Sequence, residues 1–327
     1  MEKMPIITIS LPTPFPVGDI NSYLIMDDPV TIIDPGPFYG PAEKKLAEAL
    51  EQYDLEMSDI KRVFITHGHP DHYGMAGKIQ EVGGAEVLIR DEEIQKIKPE
   101  KHYKEQMRRL FFSTGISGEA LAIGASLEKG SPYAHPVEKF SSITGKKSLD
   151  FSGFSFNLIH MPGHSGGHMC LYWEEENIVL SGDALLPEIS SIPSFEFDPG
   201  MKNLRYRSLA GVMDTMDRFS RMKPFVCLPG HGEAIEDPVE LARSRIDFHR
   251  NRLDEIFRLV PEGKENSITP YGMSRLYYPN VQGFDKVLAI FEVLSHLDFL
   301  ADEGRIIEWF DQNGVSYFYR PAGSAKN

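Results

Sequence analysis

Cysteine is nearly absent from this chain: Cys170 and Cys227 are the only two in 327 residues. Both sit in apolar, strand-like runs, so they read as buried thiols of a reducing compartment rather than as a disulfide or a reactive pair. Long hydrophobic runs are missing too. No stretch reaches the ~18 consecutive apolar residues that a membrane-spanning helix requires. Met1 to Leu11 lacks a basic segment followed by a long apolar one, the pattern of a secretory leader. A cytoplasmic protein without a membrane anchor is expected. Positive charge is in deficit as well, with 34 Lys and Arg against 48 Asp and Glu, a net charge of −14. Such a surface repels phosphate backbones and anionic membranes, which disfavours nucleic acid and favours a small-molecule substrate. The hydrophobic share, 41%, suffices for a large core without disulfides.

The order of patterns along the chain is that of an α/β protein. Ile6–Ile9, Ser22–Met26 and Val30–Ile33 are short β-branched runs, closed by the turn Asp34-Pro35-Gly36-Pro37. Pro41 opens a helix to Ala49, Arg62–Thr66 is a buried strand, and Gly74–Val82 is a helix stopped by Gly83-Gly84. Ala85–Ile89 is a strand. Residues from about 92 to 145 read as an insertion, helical as far as Ser131, that either covers a site or only packs on the surface. Strands resume at Phe154–Ile159, His168–Trp173, Ile178–Leu180 and Phe225–Leu228, with a helix over Leu204–Met222. Asp237 caps a long helix to Leu259, with Pro238 in its first position. Pro261-Glu262-Gly263 looks like a boundary, giving a catalytic domain over 1–260 and a small one over 261–327. The latter has helices near Tyr271–Leu276 and Phe284–Glu303, then a hairpin turning at Asn313-Gly314. Helices followed by a hairpin suggest a winged-helix-like module.

Chemistry concentrates in Thr66-His67-Gly68-His69-Pro70-Asp71-His72, at the end of a buried strand. Three imidazoles and a carboxylate within six residues suit zinc, iron or manganese, and a loop leaving a strand can aim them into one cleft. Three later places repeat the arrangement: Pro162-Gly163-His164, Ser181-Gly182-Asp183 and Pro229-Gly230-His231, each after an apolar strand. Strand ends at one edge are where open α/β sites gather, and neighbouring glycines allow close backbone approach. Any one of these is weak evidence, since a lone histidine at a strand end is usually a hydrogen-bonded surface or core residue. Together with the first cluster they point to a metal centre.

This pattern, H-x-H-x-D-H followed by a distant His, Asp and His, resembles the metallo-β-lactamase superfamily over about residues 6–260. The resemblance implies a four-layer αββα sandwich holding two divalent ions. His67, His69 and His164 would hold the first ion, Asp71, His72 and His231 the second, and Asp183 would bridge them. Seven ligands exceed one tetrahedral ion and suit two, most simply zinc, with iron or manganese as alternatives. A hydroxide shared by the ions would attack a carbonyl or phosphoryl centre, with Asp71 orienting it or relaying its proton. Best-known zinc β-lactamases carry Cys at the bridging position, where this chain has Asp183, which argues against antibiotic hydrolysis. Diiron oxygen-reducing members carry Glu where this chain has His69, which favours hydrolysis over redox chemistry. The combination is similar to glyoxalase II, ribonuclease Z and the lactamase-β-like group.

Three functions remain open on these grounds. The first is a small ester or thioester hydrolase of the glyoxalase II type. The second is an endoribonuclease or phosphodiesterase, supported by the tail but opposed by its charge: residues 262–327 carry nine acidic and six basic side chains. The third is a non-catalytic scaffold, opposed by the complete ligand set; a homodimer built through the tail is a further expectation. Among the other residues, His249 is a candidate substrate contact but reads better as part of a solvated helix face. Arg205, Tyr206 and Arg207 are candidates to meet an anionic substrate. His102, His135, His160, His168 and His296 have no ligand context and read as ordinary histidines, with a supporting position behind the ligands as the alternative for His168, four residues beyond His164.

Overall fold

The computed structural model describes residues 5–118, 131–198 and 205–323. Two sheets form its centre. The first has the order β1 (Ile6–Leu11), β2 (Ile20–Ile25), β3 (Thr31–Ile33), β4 (Arg62–Phe64), β5 (Glu86–Ile89), β6 (Ser141–Ser142). Its first three strands are antiparallel, and from β3 to β6 pairing is parallel. The second runs β11 (Val226–Pro229), β10 (Ile178–Gly182), β9 (Met169–Trp173), β8 (Ser155–His160), β7 (Ser148–Asp150), with only β10 and β11 parallel.

Period-two alternation sorts each strand's side chains onto two buried faces. In β4, Phe64 faces the other sheet and Val63 faces outward. In β10, Ile178 and Leu180 point inward while Val179 points outward. The inner layer, with Tyr23, Ile25, Phe64, Leu88, Phe156, Leu171 and Leu180, glues sheet to sheet. Outside the first sheet lie α1 (Gly40–Glu51), presenting Ala42, Leu46 and Leu50 at helical spacing, the one-turn α2 (Pro70–Tyr73), and α3 (Ala76–Gly83). Each fully buried Leu of that stripe contributes roughly 1.5–3 kcal/mol. Outside the second sheet lie α6 (Ser208–Met222) and α7 (Pro238–Leu259). These are the four αββα layers that the resemblance implied.

Between β5 and β6 come α4 (Asp91–Ile97) and α5 (Lys101–Ser113). The rest of the expected helical block, 119–130, lies outside the described residues, as does Leu204 at the start of the expected helix ending at Met222. The proposed N-cap of α7 is present, with the Asp237 carboxylate accepting from the Glu240 amide at 3.0 Å.

The C-terminal residues form α8 (Pro270–Tyr277), α9 (Asp285–Asp302) and a hairpin of β12 (Ile307–Phe310) and β13 (Ser316–Tyr319). Val293, Leu294, Leu297 and Leu300 of α9 and Phe318 of β13 join the same apolar cluster as α6 and α7. The tail thus shares a core with the sandwich. Arg205 reinforces the seam. Its guanidinium binds both oxygens of the buried Asp298, 2.6 Å at Oδ2, and Glu308 at 2.8 Å. Arg207 pairs with Asp298 at 2.7 Å and Asp302 at 3.3 Å. The expectation that these arginines meet a substrate anion is therefore corrected, because intramolecular carboxylates already neutralise them. Tyr206, between them, brings its hydroxyl close to Gly211. Among the described residues no helix is long and apolar enough to cross a membrane.

Candidate metal centre

Four strands end at one edge of the sandwich, and the loops that follow them carry the polar side chains the sequence singled out. His67, His69, Asp71 and His72 follow β4, His164 follows β8, Asp183 follows β10 and His231 follows β11. All seven meet. His69 Nδ1 lies 2.9 Å from His67 Nε2 and 3.0 Å from His164 Nε2. Asp183 faces both halves of the centre: Oδ2 is 3.6 Å from His164 Nε2, and Oδ1 is 3.3 Å from His72 Nε2. His231 Nε2 lies 3.5 Å from Asp71 Oδ2 and 3.9 Å from Asp183 Oδ2. His67/His69/His164 and Asp71/His72/His231 form two donor triads, each with its ligand atoms within 4.8 Å of one another, and His67/His72/Asp183 form a third group between them.

The donors fit cations. Imidazole–zinc bonds of ~2.0–2.1 Å separate two nitrogens of a tetrahedron by about 3.3 Å, close to the spacings of the first triad. Lone pairs of neutral imidazoles repel at such distances unless a proton or an ion lies between them. His72 Nε2, His231 Nε2 and Asp183 Oδ1 are buried and make no hydrogen bond, although His72 Nε2 and Asp183 Oδ1 face each other at 3.3 Å. Leaving such atoms unsatisfied costs about 1–3 kcal/mol each, so their accumulation in one place calls for a ligand.

The far nitrogen of each of these rings is held. Asp34 Oδ2 accepts from His72 Nδ1 at 2.8 Å and from the Thr66 hydroxyl at 2.6 Å. With its proton so engaged, Thr66 Oγ1 accepts from His67 Nδ1 at 3.1 Å. The carbonyls of Ile192 and Asp19 accept from His164 Nδ1 at 3.1 Å and His231 Nδ1 at 2.9 Å. These bonds turn Nε2 of all four rings toward the centre, the arrangement in which imidazoles ligate.

Burial, and then the neighbouring rings, hold His67 well below the ordinary histidine range and bring His164 down to about 4. Burial opposes protonation of His72 also, but Asp183 and Asp34 outweigh it and hold this ring well above the usual range. His231 moves up in the same way, burial being overcome by Asp183 and Asp71. Burial would raise the Asp183 carboxyl, yet His72 and His231 keep it well below its usual range. Cations at the centre would replace protons that these two histidines otherwise hold.

Two contributors were not legible in sequence. Asp34, read only as part of a turn, occupies the left-handed region at φ 50° and reaches both Thr66 and His72. Its placement after a strand, next to Pro-Gly, is the signal it shares with the ligands. Removing its carboxylate in Asp34→Ala should weaken metal binding about 10–100-fold with little change in secondary structure, as chelator competition and circular dichroism would show. His168, for which a supporting position is only the lesser reading of the sequence, is fully buried, stacks 5.0 Å from His67, and accepts from the Asp183 amide at 3.1 Å.

His249 requires a correction. It is fully buried, not on a solvated face. Ser190 lies 2.9 Å from its Nε2 and His296 Nε2 3.3 Å from its Nδ1, while His296 Nδ1 donates to the Glu292 carbonyl at 2.7 Å. This chain of satisfied groups ties the loop beyond Asp183 to α7 and α9. Of the other histidines, His160 Nε2 pairs with the Gly166 carbonyl at 2.7 Å and His135 lies 3.7 Å from Glu81. His102 borders a cavity of about 830 Å³, shared with Leu110, Phe197, Arg205 and Phe310, and none of the seven ligands lines it.

Comparison with known proteins agrees with this geometry. A family model described as the metallo-beta-lactamase superfamily matches residues 15–231. The probable metallo-hydrolase YqjP of Bacillus subtilis is 29% identical, covering 97% of this chain and 98% of that protein. The hydroxyacylglutathione hydrolase GloC of Haemophilus influenzae is 29% identical over 50% of this chain and 66% of its own length. The crystal structure of a metallo-beta-lactamase family protein from Thermus thermophilus superposes with a TM-score of 0.81 at 25% identity, covering 97% of this chain and 98% of that one.

Proposed function

The chain belongs to the metallo-beta-lactamase superfamily, and from that premise we propose that it is a binuclear metal-dependent hydrolase of a small ester or thioester. The observation that carries the reading is the convergence of seven donor side chains, three of whose buried atoms make no hydrogen bond. We assign His67, His69 and His164 to one ion, Asp71, His72 and His231 to the other, and Asp183 to both. Zinc suits this imidazole and carboxylate set, and iron or manganese would fit the same donors. When bound, two such ions make a shared water acidic and polarise the bond under attack.

The protein's own groups supply the rest. Asp71, with about 14% of its side chain exposed against 4% for His231, reaches the open side of the centre, where it can orient the attacking water and accept its proton. Asp34, Thr66 and the carbonyls of Ile192 and Asp19 hold the imidazoles in register. We assign the catalytic unit to 1–260 and read 261–327 as a winged-helix-like cover for α6 and α7. A thioester is favoured by the partial likeness to GloC and by a net charge of −14, which suits a small substrate better than RNA.

Parallel assays with esters, thioesters, phosphodiesters and single-stranded RNA, with and without chelator, test this. Ester or thioester turnover that chelator abolishes and zinc restores is the expected result. Faster cleavage of RNA or phosphodiesters overturns the substrate class. No hydrolysis with both ions bound would favour a scaffold.

A further inference from the structure

The insertion after β5 places a buried ionic group directly behind the first donor triad. Glu93, on the first turn of α4, is fully buried. Its Oε2 accepts from the Gly68 amide, between His67 and His69, at 2.8 Å. Its Oε1 accepts from the Gly167 amide at 2.7 Å and the Ser165 hydroxyl at 2.6 Å, both just beyond His164. Glu196 Oε1 accepts from the Gly166 amide at 2.6 Å. It lies on the segment whose Ile192 carbonyl holds His164. Lys96, one turn along α4, binds Glu93 Oε1 at 2.9 Å, Glu196 Oε2 at 2.6 Å and Ser165 Oγ. All three ammonium protons are thereby engaged, so this lysine does not face substrate.

These bonds connect the two loops that carry His67, His69 and His164. None of them touches Asp71, His72 or His231. Burying two carboxylates and one ammonium is unfavourable unless each is closely paired, and a network that is paired throughout fixes geometry rather than adding stability. Glycine at 167 is required by this packing, because a Cβ there would lie 2.7 Å from Glu93 Oε1.

We infer that Glu93, Lys96 and Glu196 are positioning residues for the first ion, setting the spacing of His67, His69 and His164 from behind while leaving the second ion's ligands untouched. The inference rests on the binuclear reading above.

Zinc and cobalt(II) binding to the full chain, titrated against a chromophoric chelator and followed by cobalt absorption, tests it without any activity assay. Wild type should bind two ions. Glu93→Gln should keep one affinity unchanged and weaken the other about 10–100-fold, with altered cobalt bands at the weakened position. Glu292→Gln, which breaks the buried Arg252–Glu292 pair away from the ligands, should lower thermal stability yet bind both ions as wild type does. Ser165→Ala, a smaller lesion that keeps all charges, should show the same selective weakening to a lesser degree if Glu93→Gln folds poorly. Two unchanged affinities in Glu93→Gln or, where that variant does not fold, in Ser165→Ala overturn the inference. Equal weakening of both sites overturns it too, since that marks a general fastening. A wild-type chain binding fewer than two ions instead contradicts the binuclear reading itself.

Discussion

Replacing Asp183 by Ala should abolish stable binding of two ions and lower turnover by about 1000-fold or more. Asp183 faces both triads, 3.3 Å from His72, 3.6 Å from His164 and 3.9 Å from His231. Without it the two clusters share no anion, and the positive charge of the ions is left with less compensation. Two-ion activation is worth several kcal/mol at the transition state, and about 4 kcal/mol corresponds to ~1000-fold in rate. The fold should survive, because the change removes no apolar side chain from the hydrophobic cores. Metal analysis, turnover and circular dichroism on one preparation separate these effects. Two ions and wild-type turnover in Asp183→Ala would show that this carboxylate is not the bridge.

A single methyl group at Gly230 should be nearly as damaging. A Cβ there would sit 2.3 Å from Asp183 Oδ1 and 2.8 Å from His72 Cε1, contacts that real side chains do not make. The backbone has little freedom to retreat. The Gly230 amide donates to the Gly182 carbonyl at 2.8 Å, and its own carbonyl accepts from the Asn21 amide at 2.7 Å. Nearby, the Tyr23 hydroxyl and the Asn21 side chain hold Pro229 and Gly232. The methyl must therefore displace the Asp183 carboxylate or the His72 ring. A displacement near 1 Å at a reacting centre costs about 100-fold in rate. Gly230→Ala should accordingly lose the second ion and at least ~100-fold in turnover, while unfolding near the wild-type temperature. Gly232→Ala is a useful contrast. Its φ of 79° and its contact with Pro187 predict a loss of stability, with the donor cluster untouched.

How much of this was legible in advance follows from distance along the chain and from burial. His67, His69, Asp71 and His72 announce themselves by density, since four donors within six residues rarely gather except around a cation. His164, Asp183 and His231 became legible through repetition of strand, small residue, donor. Asp34 carries the same signature, but its Pro-Gly neighbours account for it equally well as a turn, and nothing local links it to His72, 38 positions later. Glu93 and Lys96 fall in Asp-Glu-Glu-Ile-Gln-Lys-Ile, which reads as an exposed helix. Only the packing of α4 against the 164–168 loop buries them, and that contact is not local. His249 and His296 are lone histidines on separate helices, and their meeting depends on how the C-terminal segment docks. Arg205 and Arg207 misled for the opposite reason: two arginines near a site in sequence resemble an anion clamp until Asp298, Asp302 and Glu308 arrive from the tail.

The most direct test is a crystal of the zinc-loaded chain with anomalous scattering recorded at the zinc edge. Two peaks per molecule are expected, about 3.5–4 Å apart, one against His67, His69 and His164, the other against Asp71, His72 and His231, with Asp183 touching both. A single peak, or zinc bound only elsewhere on the molecule, would contradict it.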